Sequence, residues 1–243
     1  MSKSKTMGQV FTPTDIVSFM LDNVGYTVSA DILDKTIYEP SFGQGVFLFE
    51  IVDRLIEKAT MENLSSDAIT ALLNKNVHGV EFDEDLFNET IVALTTHAQS
   101  KGASSPSWDN LICTDALGFS PVNGFDYVVG NPPYIRTHNL TDEMRANMER
   151  FSITATGTPD IYVTFMEYGL SVLKPGGKLS YIVPNTWLKN TSQKDFREHL
   201  FSKKLVKSVH DFMSEKVFST VGTYTAVVVC CENNEDLAYS QKE

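Results

Sequence analysis

The 243-residue sequence predicts an α/β fold built on a mainly parallel sheet. Three observations carry that reading. Strand-like and helix-like segments alternate along the chain. A glycine turn, Pro40-Ser41-Phe42-Gly43-Gln44-Gly45, follows the first short apolar strand and precedes an apolar-periodic helix. Polar side chains stand at the ends of three successive strands, so they point to one crevice.

The elements follow in order. A first helix starts at Thr12-Pro13, with Thr12 as a cap, Pro13 in the first turn and Asp15 near the positive end of the dipole. Ile16, Val17, Phe19, Met20 and Val24 form its apolar face. A strand covers Thr36–Glu39 and a helix runs from Val46 to about Ala59. Val77–Glu81 is the next strand, Asp83–His97 the next helix, and Lys101–Asn110 a Gly/Ser/Pro loop. Short strands cover Leu111–Thr114 and Phe125–Gly130; the second runs into Asn131-Pro132-Pro133-Tyr134. A polar stretch, Ile135–Pro159, carries a helix over Asp142–Arg150 and has the length of a functional loop. The helix Asp160–Leu173 is stopped by Lys174-Pro175-Gly176-Gly177. Then come a strand over Lys178–Val183, a helix over Ser192–Phe201, and strands over Leu205–Asp211 and Thr223–Cys231, the last placing Cys230 and Cys231 on opposite faces. Residues 1–231 read as one domain, with Glu232–Glu243 as a polar tail or linker.

Composition narrows the class. Hydrophobic residues make up 42% and charged residues 21%, as in a soluble globular chain. No apolar run reaches the roughly 18 residues of a membrane span, and no apolar stretch follows the N-terminal lysines as in a signal peptide. The three cysteines form no CxxC pair and suit a reducing cytoplasm; the scattered histidines have no metal-ligand spacing. The net charge of −11 is at odds with a complete DNA-binding protein, because duplex DNA is held largely by Lys and Arg.

Three strand ends carry candidate binding groups. The Gly43–Gly45 turn lets backbone approach a ligand closely, or is an ordinary βα turn. Glu81 is placed to hold ribose hydroxyls, or to cap a helix. Phe82 offers a face for an adenine. Asp115 is placed to accept from an exocyclic amine, or again to cap. The sharpest signal is Asn131-Pro132-Pro133-Tyr134. An aromatic amine is a poor nucleophile because its lone pair is delocalised into the ring. Two fixed acceptors on its N–H bonds, the Asn131 side-chain oxygen and the Pro132 carbonyl, draw the nitrogen toward a tetrahedral shape. The prolines stiffen the backbone. Tyr134 presents a face on which an extruded base stacks, worth roughly 1–3 kcal/mol. The alternative is a rigid Pro-Pro turn with a core tyrosine.

From Gly8 to about Cys231 these motifs, in this order, resemble the gamma-class amino-methyltransferases, the TaqI-type restriction-modification adenine methyltransferases. Gly8-Gln9-Val10-Phe11-Thr12-Pro13 resembles the N-terminal cofactor motif, continued by the helix to residue 24. Glu39–Gly45 resembles the first sheet motif, although Phe42 stands where cysteine is frequent. Asp160–Phe165 and Lys174–Trp187 resemble the motifs that follow. Lys216-Val217-Phe218 resembles the motif whose aromatic packs against a flipped base. The resemblance implies a Rossmann-like class I S-adenosylmethionine-dependent methyltransferase fold, a seven-stranded mixed sheet with the last strand antiparallel and helices on both faces. It implies S-adenosyl-L-methionine as cofactor, held by Thr12, Glu39, Pro40, Ser41, Gly43, Glu81, Phe82, Asp115, Ala116, Asn131 and Phe165, with no metal. It implies methyl transfer to N6 of an adenine in double-stranded DNA, with Asn131, Pro132 and Tyr134 catalytic and Phe218 facing Tyr134 across the base. Arg136 is a candidate phosphate contact; Arg145 and Arg150 read rather as a solvated helix face. Family members continue into a target recognition domain, so a recognition domain or subunit outside this chain is expected and would supply the missing positive charge. A glutamine methyltransferase of release factors uses the same tetrapeptide but lacks the Gly8–Pro13 motif. A cofactor-binding module without turnover, and RNA as substrate, are further alternatives.

Overall fold

The structure, a computed structural model, describes residues 12–135, 140–151, 153, 160–213, 217–218, 224–232 and 237–241. Its centre is an eight-stranded sheet in the order β3-β2-β1-β4-β5-β7-β6-β8. The strands are β1 (Ile37–Glu39), β2 (Val77–Glu81), β3 (Leu111–Cys113), β4 (Phe125–Gly130), β5 (Leu173–Pro184), β6 (Val206–Asp211), β7 (Thr225–Cys231) and β8 (Ala238–Gln241). The helices are α1 (Thr14–Val24), α2 (Val46–Met61), α3 (Ser66–Asn76), α4 (Glu84–Ser100), α5 (Asp142–Met148), α6 (Ile161–Ser171) and α7 (Lys194–Ser202). Strands β1 to β5 pair in parallel, and β7 runs antiparallel to both β5 and β6.

Each central strand divides its side chains between two cores. In β7, Val227 and Val229 enter the cluster shared with α1 to α4, while Ala226, Val228 and Cys230 enter the cluster shared with α6 and α7. That is the period-two pleat of a sheet covered on both sides. It accounts for the continuous apolar run Ala226–Cys230, where each buried valine contributes roughly 1.5–3 kcal/mol. Cys231 is half-exposed, on the other face from Cys230. Among the described residues no helix is long and apolar enough to cross a membrane.

Several elements differ from the sequence expectation. Helix α3 buries only Ile69, Leu73 and Asn76, and the sequence reading passed over it; Ser65 caps it by accepting from the Ala68 N–H at 3.3 Å. Asp83 caps α4 by accepting from the Leu86 N–H, so the helix begins one residue later than predicted. The Lys174–Gly177 stop is not a gap between elements. Phe125 pairs with Leu173 and Tyr127 with Lys178, so Lys174-Pro175-Gly176-Gly177 bulges out of the edge of β5, with Gly176 at φ 76°. The polar tail is corrected in part: residues 238–241 form β8, which pairs in parallel with β6 and brings the sheet to eight strands rather than seven. All four β8 residues are exposed. Their pairing uses the free backbone edge of β6, which needs no apolar side chains and leaves no hydrophobic signal.

The register between β1 and β4 is pinned at their amino ends. Asp126 Oδ2 accepts from the Thr36 N–H and the Thr36 hydroxyl, both at 2.9 Å, and from Lys174 Nζ at 2.6 Å. The Asp126 and Tyr127 N–H groups donate in return to the Thr36 carbonyl. Burial pushes the Asp126 carboxyl upward, but Lys174 and Thr36 outweigh it and hold it below its ordinary value. A carboxyl depressed in the native state adds stability above its unfolded pKa and loses it as pH falls. Asp126→Ala is therefore expected to cost about 2–3 kcal/mol at neutral pH, the scale of charge-assisted bonds lost at a half-buried site. Urea unfolding should show that deficit shrinking as pH falls below about 4.

Candidate functional site

The sheet order reverses at β1: β2 and β3 lie to one side, β4 and β5 to the other. Ligands of open α/β sheets bind outside the carboxyl ends of the strands at such a point, because the connections leave in opposite directions and open a crevice. The residues singled out in the sequence gather there. Glu39 ends β1, Glu81 ends β2, Asp115 follows β3, and Asn131 follows β4.

The turn after β1 is built by glycine and held from its neighbours. Gly43 and Gly45 have φ of 52° and 76°, conformations that side-chain-bearing residues rarely adopt. A Cβ on Gly45 would lie 2.7 Å from Thr90 Cγ2. The Thr90 hydroxyl donates to the Gly43 carbonyl at 2.8 Å. Glu81 Oε2 accepts from the Gly43 N–H at 2.8 Å, and its Oε1 accepts from the Phe82 and Asp83 N–H groups, each at 2.9 Å. Glu81 is thus a buried brace of the turn, and the helix cap is Asp83 instead. Oε1 already takes two donors and Oε2 one, which leaves acceptor capacity on Oε2. Burial raises the Glu81 carboxyl despite the three backbone bonds.

Glu39 is 2% exposed, and its Oε2 has no hydrogen-bond partner among the described residues. Burial first, and the Glu81 charge second, raise its carboxyl well above the ordinary value. A buried carboxylate without a donor is costly, and it suits a ligand that brings a cationic group. Gly130, at φ 152°, passes close by: a Cβ there would stand 3.5 Å from Glu39 Cγ.

The tetrapeptide is fixed from three sides. Asn131 Nδ2 donates to the Thr12 hydroxyl at 3.1 Å, and the Ser41 hydroxyl donates to the Asn131 carbonyl at 3.4 Å. The Tyr134 hydroxyl donates to the Ile182 carbonyl at 3.0 Å. Pro132 is buried. Thr12 is not a helix cap: Pro13 occupies the cap position and no side chain caps α1. Thr12 instead joins the N-terminal segment to Asn131. Pro40 and Ala116 are buried, and Phe165 packs within the α6 core with its ring 6.5 Å from that of Tyr168. Phe82 is 47% exposed and open to stacking.

Phe218 lies beside Tyr134, with ring centroids 6.2 Å apart and planes at 63°. It is 2% exposed, within the same core as α1 to α4. The two rings meet edge to face and do not form two parallel walls, so a base between them requires Phe218 to move. Asp115 accepts from the Leu117 N–H at 3.0 Å and from Asn147 Nδ2 at 2.7 Å. Arg150 is exposed, as expected, and also donates to the Leu117 and Gly118 carbonyls and to the Ser120 hydroxyl. Gly8–Phe11, Arg136 and Lys216 lie outside the described residues.

The sequence reading missed Thr90, Asn147 and the docking of Arg150, because none sits in a motif and each acts across a tertiary contact. A separate cleft of about 340 Å³, lined in part by Glu167, Ser171, His199 and Lys203, lies at the α6–α7 side of the sheet and includes none of the strand-end residues. Among the described residues, no three His, Cys, Asp or Glu side chains gather as a metal site.

The sequence pattern of the Eco57I restriction-modification methylase family matches residues 30–218. The type II methyltransferase M.PaeR7I of Pseudomonas aeruginosa is 30% identical over 228 residues, covering 91% of this chain and 40% of the relative. M.XhoI of Xanthomonas vasicola is 28% identical, covering 91% and 42%. The chain thus spans about two fifths of the length of these relatives. The fold matches the Type ISP restriction-modification enzyme LlaGI, solved as a nuclease-deletion mutant with a DNA substrate mimic, at a TM-score of 0.77 and 16% identity, over 96% of this chain and 24% of that one. It also matches the M protein of the Type I restriction enzyme EcoKI, at a TM-score of 0.67 and 16% identity, over 93% and 44%.

Glu39→Gln tests the unpaired carboxylate. A carboxyl raised in the native state gives full stability below its unfolded pKa and loses it as pH rises. The Gln variant of the ligand-free chain is expected to melt higher than wild type at pH 7, with the difference vanishing below about pH 4; thermal melts across pH read both.

Proposed function

The chain belongs to the Eco57I restriction-modification methylase family, and from that premise we propose that it transfers the methyl group of S-adenosyl-L-methionine to N6 of an adenine flipped out of double-stranded DNA. The observation that carries this reading is the anchoring of Asn131 and Tyr134 at the switch point beside the buried Glu39.

The residues present fit the cofactor. Glu39 offers a buried carboxyl that a cationic amino-acid end would draw into its charged form, the Gly43–Gly45 turn exposes backbone, Glu81 Oε2 keeps capacity for a ribose hydroxyl, and Phe82 and Asp115 border an adenine site. Held there, the cofactor's sulfonium would supply an electrophilic methyl group to an N6 amine held by Asn131 and Pro132. The chain's own part is orientation. Thr12 restrains the Asn131 amide, directing its oxygen toward one N6–H, while the Pro132 carbonyl takes the other. Holding both acceptors in place before reaction lowers the barrier without reorganisation during it. Tyr134, with its hydroxyl pinned to strand β5, gives the base a rigid face. Phe218 must swing from its edge-on contact to form the second wall. Recognition of a DNA sequence, and most of the cationic surface that holds the duplex, belong to a further domain or subunit.

The test is transfer of labelled methyl from S-adenosylmethionine to mixed-sequence DNA, followed by digestion to nucleosides. N6-methyladenine is the expected product. Label in RNA or protein but not in DNA would overturn the reading. Asn131→Ala is expected to lower kcat about 10²–10³-fold, the scale of losing one fixed polar contact to a reacting group, with cofactor affinity retained. Thr12→Val is expected to lower kcat up to about tenfold at unchanged KM for the cofactor, the equivalent of one hydrogen bond. Thr12→Ser should restore it. A weakened cofactor KM in Thr12→Val would make Thr12 a ligand contact instead.

A further inference from the structure

Residues 140–150 pack against the turn that follows β3. Helix α5 is capped by Thr141, whose hydroxyl accepts from the Met144 N–H at 3.2 Å. Leu140 and Met148 are buried in the same apolar cluster as Ile135, Ala116 and Leu117. At the end of the helix, Asn147 Nδ2 donates to Asp115 Oδ2 at 2.7 Å. Arg150 follows, with Nη1 on the Leu117 and Gly118 carbonyls at 3.1 and 3.0 Å and Nη2 on the Ser120 hydroxyl at 2.9 Å. The fit at Gly118 is tight: a Cβ there would stand 3.1 Å from Asn147 Nδ2, and the Asn147 side chain would have to shift slightly.

We infer that Asn147 is a positioning residue of the cofactor site, holding the Asp115 carboxylate in the orientation that selects an exocyclic amine, and that Arg150 holds the turn carrying it. This rests on the reading of Asp115 as the group that meets the cofactor's adenine. An ionised carboxylate only accepts hydrogen bonds. Leu117 N–H takes one site on Oδ1 and Asn147 takes one on Oδ2, which directs the remaining lone pairs toward a donor in the crevice. A carboxylate held this way favours an amine and rejects a carbonyl oxygen, because two acceptors face each other. Without Asn147 the carboxylate keeps one tether and turns about its broad terminal torsion, so the rejection weakens. Ile135, directly after the tetrapeptide, is buried in the same apolar cluster as Leu140 and Met148, so the base-binding segment and the adenine end of the cofactor site share one packed core.

The experiment compares binding of S-adenosyl-L-homocysteine and S-inosyl-L-homocysteine, in which a carbonyl oxygen replaces the amine, by calorimetry on the whole chain. Wild type is expected to prefer the adenosyl ligand by tenfold or more. Asn147→Ala is expected to reduce that preference several-fold, and Asn147→Asp, which sets a second carboxylate against the first, to reduce it further. Arg150→Ala is expected to weaken both ligands alike. A general structural defect in Asn147→Ala would weaken both ligands equally; an unchanged preference ratio therefore overturns the inference while leaving Asp115 in place. If wild type binds both ligands alike, or neither, the reading of the cofactor site fails and this inference falls with it.

Discussion

The pairing of β1 with β4 is the constraint on which the site depends. These short strands meet where the connections reverse direction, and their alignment decides whether Glu39 and Asn131 face the same crevice. Asp126 sets it, through Thr36 at the start of β1 and Lys174 at the bulge of β5. Because side chains in a strand alternate with period two, a slip of one residue would send Glu39 to the opposite face. A polar clamp at one end of the strands therefore fixes geometry at the other, while the apolar residues between them keep water out.

Two carboxylates on adjacent strands illustrate a division of labour. Asp126 is surrounded by donors and is held in its charged form. Glu39 is buried without a donor on Oε2 and is pushed toward its neutral form. The first stabilises the fold; the second is a local cost that a cationic ligand would relieve. Proteins accumulate such strain where function requires it, and the surrounding valine- and leucine-rich cores are large enough to carry it. Glu81 lies between these cases, buried yet bonded to three backbone N–H groups, one in the turn it supports and two at its own strand end.

Segments distant in sequence meet at the crevice. Thr12 reaches Asn131 across 119 residues, and Asn147 reaches Asp115 across 32. The site is thus framed by the segment that leads into the chain's first helix and by the helix after the tetrapeptide, both outside the central sheet. Under the proposed reaction, this arrangement pre-orients the acceptors within an acidic chain, and the proposed further domain or subunit would hold the polyanion. The net charge of −11 is consistent with that separation, since phosphate contacts are made by lysine and arginine.

The α/β class, the seven principal strands to within a few residues, the glycine turn and the Asn131–Tyr134 tetrapeptide were all legible in the sequence. Strand periodicity, glycine and proline chemistry, and acceptor geometry are local properties that a linear pattern records. The inward bracing by Glu81, the Thr12–Asn131 bond, the Asn147–Asp115 bond and the edge-on Phe218 were not, because each depends on which side chains the packing brings together. Strand β8 escaped for a related reason: it is held by backbone bonds to the edge of β6 and by the contacts His210–Ser240 and Tyr239–Asp211, with no apolar face to mark it. The sequence alone determined which chemical groups stand at the strand ends. Tertiary structure decided which of those groups are already bonded, and so which are left to act, because hydrogen-bond partners distant in sequence become neighbours only when the sheet is assembled.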